Sequence, residues 1–108
     1  MSIQWLFDVI QDRKNNPSEK SYTASLFNDG LPKIAQKVGE EAVEAVIAAI
    51  EDDREGLIGE SADLLFHLSV LWADVGITPD DIDAELARRE GVSGIAEKAA
   101  RKTATPGD

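Results

Sequence analysis

The side chains best suited to chemistry in this chain are acidic: Glu40, Glu41 and Glu44 in one stretch, Glu60 and Asp63 in the next. Glu41 and Glu44 are three residues apart, as are Glu60 and Asp63, so on helices each pair shares a face. Two unit charges about 4 Å apart repel by roughly 4 kcal/mol at an effective dielectric near 20. Carboxylates gathered between packed helices therefore need protons, basic partners or a bound cation. The bland alternative is a solvated acidic face neutralised by nearby lysines; two such pairs on adjacent helices weigh against it. Oxygen donors without cysteine or a second histidine favour hard cations, Mg²⁺ first and Mn²⁺ as the alternative, over zinc or copper. The spacing thus points to a carboxylate cage for magnesium formed by Glu41, Glu44, Glu60 and Asp63. Magnesium held in this way works on phosphate substrates. Lys33 and Lys37 precede the cage on the same stripe. They offer charge to a polyphosphate, with ordinary pairing of Lys37 to Glu41 as the competing use.

The elements that must position these groups are all helical. Ile3, Leu6, Phe7 and Ile10 predict an amphipathic helix ending near Lys14, broken by Asn15-Asn16-Pro17-Ser18. A polar stretch around Ser21–Phe27 has room for a short helix, and Asn28-Asp29-Gly30 reads as a turn. From Leu31 to about Glu51, apolar residues recur at three- and four-residue spacing, which predicts a long helix. Asp52-Asp53-Arg54 is a short connection of the kind that joins antiparallel helices. The next helix, roughly Glu55–Val75, is apolar almost all round, yet Glu60, Asp63, His67 and Asp74 fall in one sector. Gly76 is its stop, and Thr78, Pro79 and Asp81 open a last helix ending near Glu90-Gly91. No segment alternates as a strand does. The expected fold is an all-α antiparallel helical bundle completed by homodimerisation, because a chain this short cannot surround so apolar a helix alone.

Length and charge narrow the function. The 108 residues fit a single domain over 1–108, with a flexible tail from about 102. A net charge of −10 argues against non-specific nucleic-acid or anionic-membrane binding. No apolar run approaches the roughly 20 residues of a membrane span. Cysteine is absent, which removes disulfides and thiolate zinc sites and favours a cytoplasmic setting. The first residues carry no signal-peptide pattern.

The wording around the acidic pairs adds a resemblance. Glu40-Glu41-x-x-Glu44 followed by Glu60-x-x-Asp63 resembles the signature of the all-α nucleoside triphosphate pyrophosphohydrolases. Ser21-Tyr22-Thr23, the run Gly30–Ala42, the run Glu60–Leu68 and the stretch Arg88–Ala99 are similar to the phosphoribosyl-ATP pyrophosphohydrolase family over nearly the whole chain. The resemblance implies hydrolysis of phosphoribosyl-ATP to phosphoribosyl-AMP and pyrophosphate, the second step of histidine biosynthesis, by a metal-dependent homodimer or higher homo-oligomer acting on a small nucleotide. It carries over Glu41, Glu44, Glu60 and Asp63 as metal ligands and leaves Glu40 and Glu44 as the groups that could orient the attacking water. One departure is Phe66, where relatives are expected to hold tyrosine; packing is a sufficient role for it. The nearest alternative is a housecleaning pyrophosphohydrolase for dUTP, dCTP or modified nucleotides. An oxygen-using di-iron bundle would need Glu-x-x-His pairs, and His67 is the sole histidine.

Other residues divide between packing and substrate. His67 reads as a hydrogen-bonded packing residue more readily than as a general base. Trp5 and Trp72 belong to the core or to a subunit interface. Ser21, Tyr22 and Thr23 serve as a cap or, by the resemblance, as substrate contacts. Among the basic residues Arg88, Arg89, Lys98, Arg101 and Lys102, Lys98 and Arg101 are candidates to hold the ribosyl phosphate; solvated helix-end charge is the simpler reading.

Overall fold

The computed structural model describes residues 2–90. Five α-helices and no strand occur among them: α1 (Ile3–Asn15), α2 (Tyr22–Asp29), α3 (Leu31–Ile50), α4 (Arg54–Val75) and α5 (Pro79–Arg89). None of these helices is long and apolar enough to cross a membrane.

Capping explains the boundaries. The Ser2 hydroxyl accepts from the Trp5 N–H at 3.1 Å and starts α1, which runs one residue beyond Lys14. The polar stretch after Pro17 forms a complete helix rather than an irregular segment, with Ser21 as its N-cap accepting from the Ala24 N–H at 3.1 Å. Asn28 and Asp29 stay within α2, and the turn contracts to Gly30. Gly30 has φ +94°, a conformation nearly closed to side chains, and this lets one residue end α2 and begin α3. α4 begins at Arg54, one residue earlier than the pattern indicated, because the Asp53 carboxylate caps it by accepting from the Gly56 N–H at 2.9 Å. Gly76, left-handed at φ +80°, ends α4. Thr78 and Asp81 form a reciprocal capping box that opens α5.

The most extensive packing joins α3 to α4. The buried residues of α3 are Ile34, Glu41 and Ala48; their seven-residue spacing draws a single seam along the helix. Phe7, Ile10, Leu26, Ile34, Val70 and Ala73 make the core, with Leu6, Phe27, Phe66, Leu71 and Trp72 packed around it. Lys14 fastens α1 to the end of α4 by donating from Nζ to the Ala73 carbonyl at 2.9 Å, while lying 5.5 Å from the centre of the Phe27 ring. That bond satisfies one of the carbonyls a helix leaves open at its C-terminus.

The fold leaves a large apolar surface. On α3, Val43, Val46, Ile47 and Ile50 are exposed, Ile50 to 80%, and Ile58 and Leu65 are exposed on α4. Trp72 lies against the core as expected. Trp5 is half-exposed in a groove it shares with Ile3, Leu6, Ala62, Leu65 and Phe66.

Candidate metal centre

The α3 seam that buries Ile34 and Ala48 also buries Glu41, which is only 8% exposed. An ionised carboxylate in that position loses its hydration and must find compensation. Glu60 and Asp63, three residues apart on α4 and therefore on one face, come to meet it. One carboxylate oxygen from each of Glu41, Glu60 and Asp63 can be chosen so that all lie within 4.8 Å of one another. Glu41 Oε2 and Glu60 Oε2 are buried without any hydrogen-bond partner. Uncompensated acceptors converging at this range suit a divalent cation with oxygen ligands.

The electrostatics agree with crowding. The Glu60 carboxyl is pushed up to about 7, first by the neighbouring Glu41 carboxyl, then by that of Glu44, and next by burial. A shared proton is the local substitute for a cation among like charges. Glu44 is thus next to Glu60 but outside the tightest group of three, and it is exposed. Together with Ile47, Ala48, Glu51, Asp53, Gly56 and Glu60 it lines an adjoining cavity of about 220 Å³.

Glu40 takes a different direction. Gln36 Nε2 donates to it at 2.6 Å and Lys37 pairs with it at 3.6 Å. The Gln36 bond first and Lys37 after it hold the Glu40 carboxyl below its ordinary range. The partner of Lys37 is therefore Glu40, in place of the pairing with Glu41 that the four-residue spacing allowed. Lys33 is exposed but near enough to contribute favourably at Glu40.

α2 packs against α4 at the turn that follows Asp63. The ring of Tyr22 stacks on Phe66, with centroids 6.2 Å apart, and meets His67 edge-on at 6.0 Å. Phe66 thus has a packing role that requires no hydroxyl. Tyr22 Oη lies 3.0 Å from His67 Nε2, and His67 Nδ1 lies 2.8 Å from the Asp63 carbonyl. His67 is 5% exposed, a buried and hydrogen-bonded side chain as the sequence suggested. Ser21 is occupied as the α2 cap, and Thr23 is half-buried one residue past Tyr22. Lys98 and Arg101 lie outside the described residues.

Two contacts escaped the sequence. The Gln36–Glu40 bond spans four helical residues and was available to a search for such pairs. The Tyr22–His67 bond joins residues 45 apart, and no local signal announces it.

Residues 4–90 match the family described as phosphoribosyl-ATP pyrophosphohydrolase. The chain is 58% identical over 98 residues to the phosphoribosyl-ATP pyrophosphatase of Azospirillum brasilense, covering 91% of this chain and 88% of that protein. It is 57% identical over 99 residues to the protein of the same name from Paramagnetospirillum magneticum, covering 92% and 91% of the two chains. The Rhodospirillum rubrum protein of that name is 57% identical over 100 residues, with 93% and 86% covered.

Proposed function

Since this chain belongs to the phosphoribosyl-ATP pyrophosphohydrolase family, we propose that it hydrolyses phosphoribosyl-ATP to phosphoribosyl-AMP and pyrophosphate, the second step of histidine biosynthesis. The observation that carries the reading is the convergence of Glu41, Glu60 and Asp63 with two buried, unpartnered oxygens among them. These three side chains would hold Mg²⁺, with Mn²⁺ as a substitute, and Glu44 would complete the set from beside Glu60. Bound there, the ion would polarise phosphate oxygens and lower the cost of forming a water-derived nucleophile.

The chain's own residues do the rest. Glu44 is exposed beside the cavity and suits orientation of a water aimed at the α–β linkage; Glu40 is the second candidate, already engaged by Gln36 and Lys37. The water oxygen bonds to phosphorus as the bridging P–O bond breaks, and a carboxylate takes the proton. Lys33 and Lys37 offset the charge of the departing pyrophosphate. Ser21, Tyr22 and Thr23 contact the nucleotide at the start of α2, and Lys98 and Arg101 are assigned to the ribosyl phosphate. The exposed apolar residues of α3 and α4 meet those of a second copy, making an antiparallel bundle across a homodimer.

The test is to supply phosphoribosyl-ATP with and without Mg²⁺ and to measure released pyrophosphate, beside dUTP and dCTP. Release from phosphoribosyl-ATP only with the metal is expected. Preference for dUTP or dCTP transfers the site to nucleotide housecleaning. Glu44→Gln and Asp63→Asn should each cut turnover by about 10²-fold or more while circular dichroism stays unchanged; near-normal activity in both rejects the assignment.

A further inference from the structure

Tyr22 stands at the first position of α2, and it is 54% exposed although its ring is held from two sides. Phe66 lies against one face, with centroids 6.2 Å apart and planes 24° from parallel. At the phenol end, Oη lies 3.0 Å from His67 Nε2. The Asp63 carbonyl can only accept, so the 2.8 Å contact from His67 Nδ1 places a ring hydrogen on that nitrogen. In the neutral ring Nε2 is then an acceptor, and the Tyr22 hydroxyl donates to it. A stack and a hydrogen bond to buried His67 therefore fix the tyrosine ring. With one face on Phe66 and the hydroxyl on His67, its exposure falls on the opposite face. Core packing accounts for Ala24 and Leu26 of the same helix, which are buried. It does not account for a ring held fixed with its outer face in solvent.

The open face is close to the acidic group. His67 follows Asp63 by four residues on α4, a rise of about 6 Å. Asp63 is the exposed member of the trio Glu41, Glu60 and Asp63. One helical turn and one hydrogen bond thus separate the carboxylates from the open ring, a separation that the sugar of a nucleotide can bridge. We propose that the free face of Tyr22 is the platform on which the purine base of the substrate stacks while its phosphates lie at the acidic group. The inference rests on the reading of that group as the phosphate-processing centre, and it assigns the other end of the same nucleotide. A flat ring whose orientation is already set gives up little freedom when a second ring lies on it. Stacking on an aromatic side chain also needs no hydrogen-bond pairing with the base. His67 touches no substrate in this arrangement; it positions the platform through the phenol.

Tyr22 is the single tyrosine of the chain, so its ring resonances are unambiguous. In proton NMR of the full chain with Mg²⁺, adding AMP should move them upfield through the ring current of the adenine. Tyrosine signals that stay fixed through millimolar AMP overturn the proposal. Signals that follow protein concentration and ignore AMP assign the free face to a second copy, and overturn it as well. In kinetics with phosphoribosyl-ATP, Tyr22→Ala should raise KM about tenfold or more, the effect of losing one base stack. The loss in kcat should stay within about threefold. Tyr22→Phe keeps the ring and loses only its tie to His67, so its KM should rise about threefold. Equal damage in the two variants places the function in the hydroxyl and overturns the stack. If Tyr22→Ala loses helix content, Tyr22→Leu takes its place, since leucine keeps bulk against Phe66 without an aromatic face. If the unaltered chain releases no pyrophosphate, the functional reading fails while the AMP titration still decides the platform.

Discussion

At the scale of single residues, Glu60 connects proton uptake to ion uptake in the proposed metal centre. In the unfolded chain its carboxyl titrates near the ordinary 4.5, and in the fold it is pushed up to about 7 by Glu41 and then Glu44. Between those values the folded protein holds a proton that the unfolded chain has released, so stability falls as pH rises through this window. A cation held by the same oxygens, as proposed, would displace the proton, so its binding would strengthen over the same range. Thermal melting of metal-free protein should therefore show a lower Tm at pH 8 than at pH 5.5. The rise in Tm on adding Mg²⁺ should be larger at pH 8. A metal-induced rise that is flat or shrinks with pH would remove Glu60 from the ligand set.

At the scale of elements, the turn between α3 and α4 sets the register of Glu41 against Glu60 and Asp63. Asp52 has φ +59°, the left-handed region, in a residue that is not glycine. Asp53 caps α4, and its loss leaves a helix-start N–H without its acceptor. Asp53→Ala should cost about 1 kcal/mol in urea unfolding. Asp52→Gly should gain a few tenths to about 1 kcal/mol by relieving the backbone; a loss there would mean that the Asp52 side chain stabilises the turn. The same elements show what a linear reading captures. The long repeats of α3 and α4, the Gly76 stop and the Thr78–Asp81 box are local patterns, and they gave those elements within a residue or two. The eight residues of α2 are too few for a clear period, so its existence was visible only as an allowance. Glu41, Glu60 and Asp63 were legible as a group because helical spacing pairs them and a short connection brings the helices together. Their inequality with Glu44 was not, since it depends on which carboxylate enters the seam beside Ile34 and Ala48. The choice of Glu40 over Glu41 by Lys37 is likewise a matter of side-chain direction that spacing three and spacing four both permit.

At the scale of the whole molecule, the side chains Val43, Val46, Ile47, Ile50, Ile58 and Leu65 on α3 and α4 are exposed, and exposed apolar patches mark interaction surfaces. In the proposed homodimer they are the contact surface. Ile50→Glu should shift sedimentation towards the monomer, because a charge placed in an apolar interface must be desolvated; a chain that already sediments as a monomer at high concentration contradicts the dimer. Ile47 belongs both to that surface and to the lining of the cavity between Glu44 and Glu60. Whatever covers the surface therefore also forms one side of that cavity, where the proposed function has water and nucleotide meet. Specific activity should then depend on enzyme concentration, declining upon dilution while far-ultraviolet ellipticity per residue holds steady, so that catalysis is lost before any helix is.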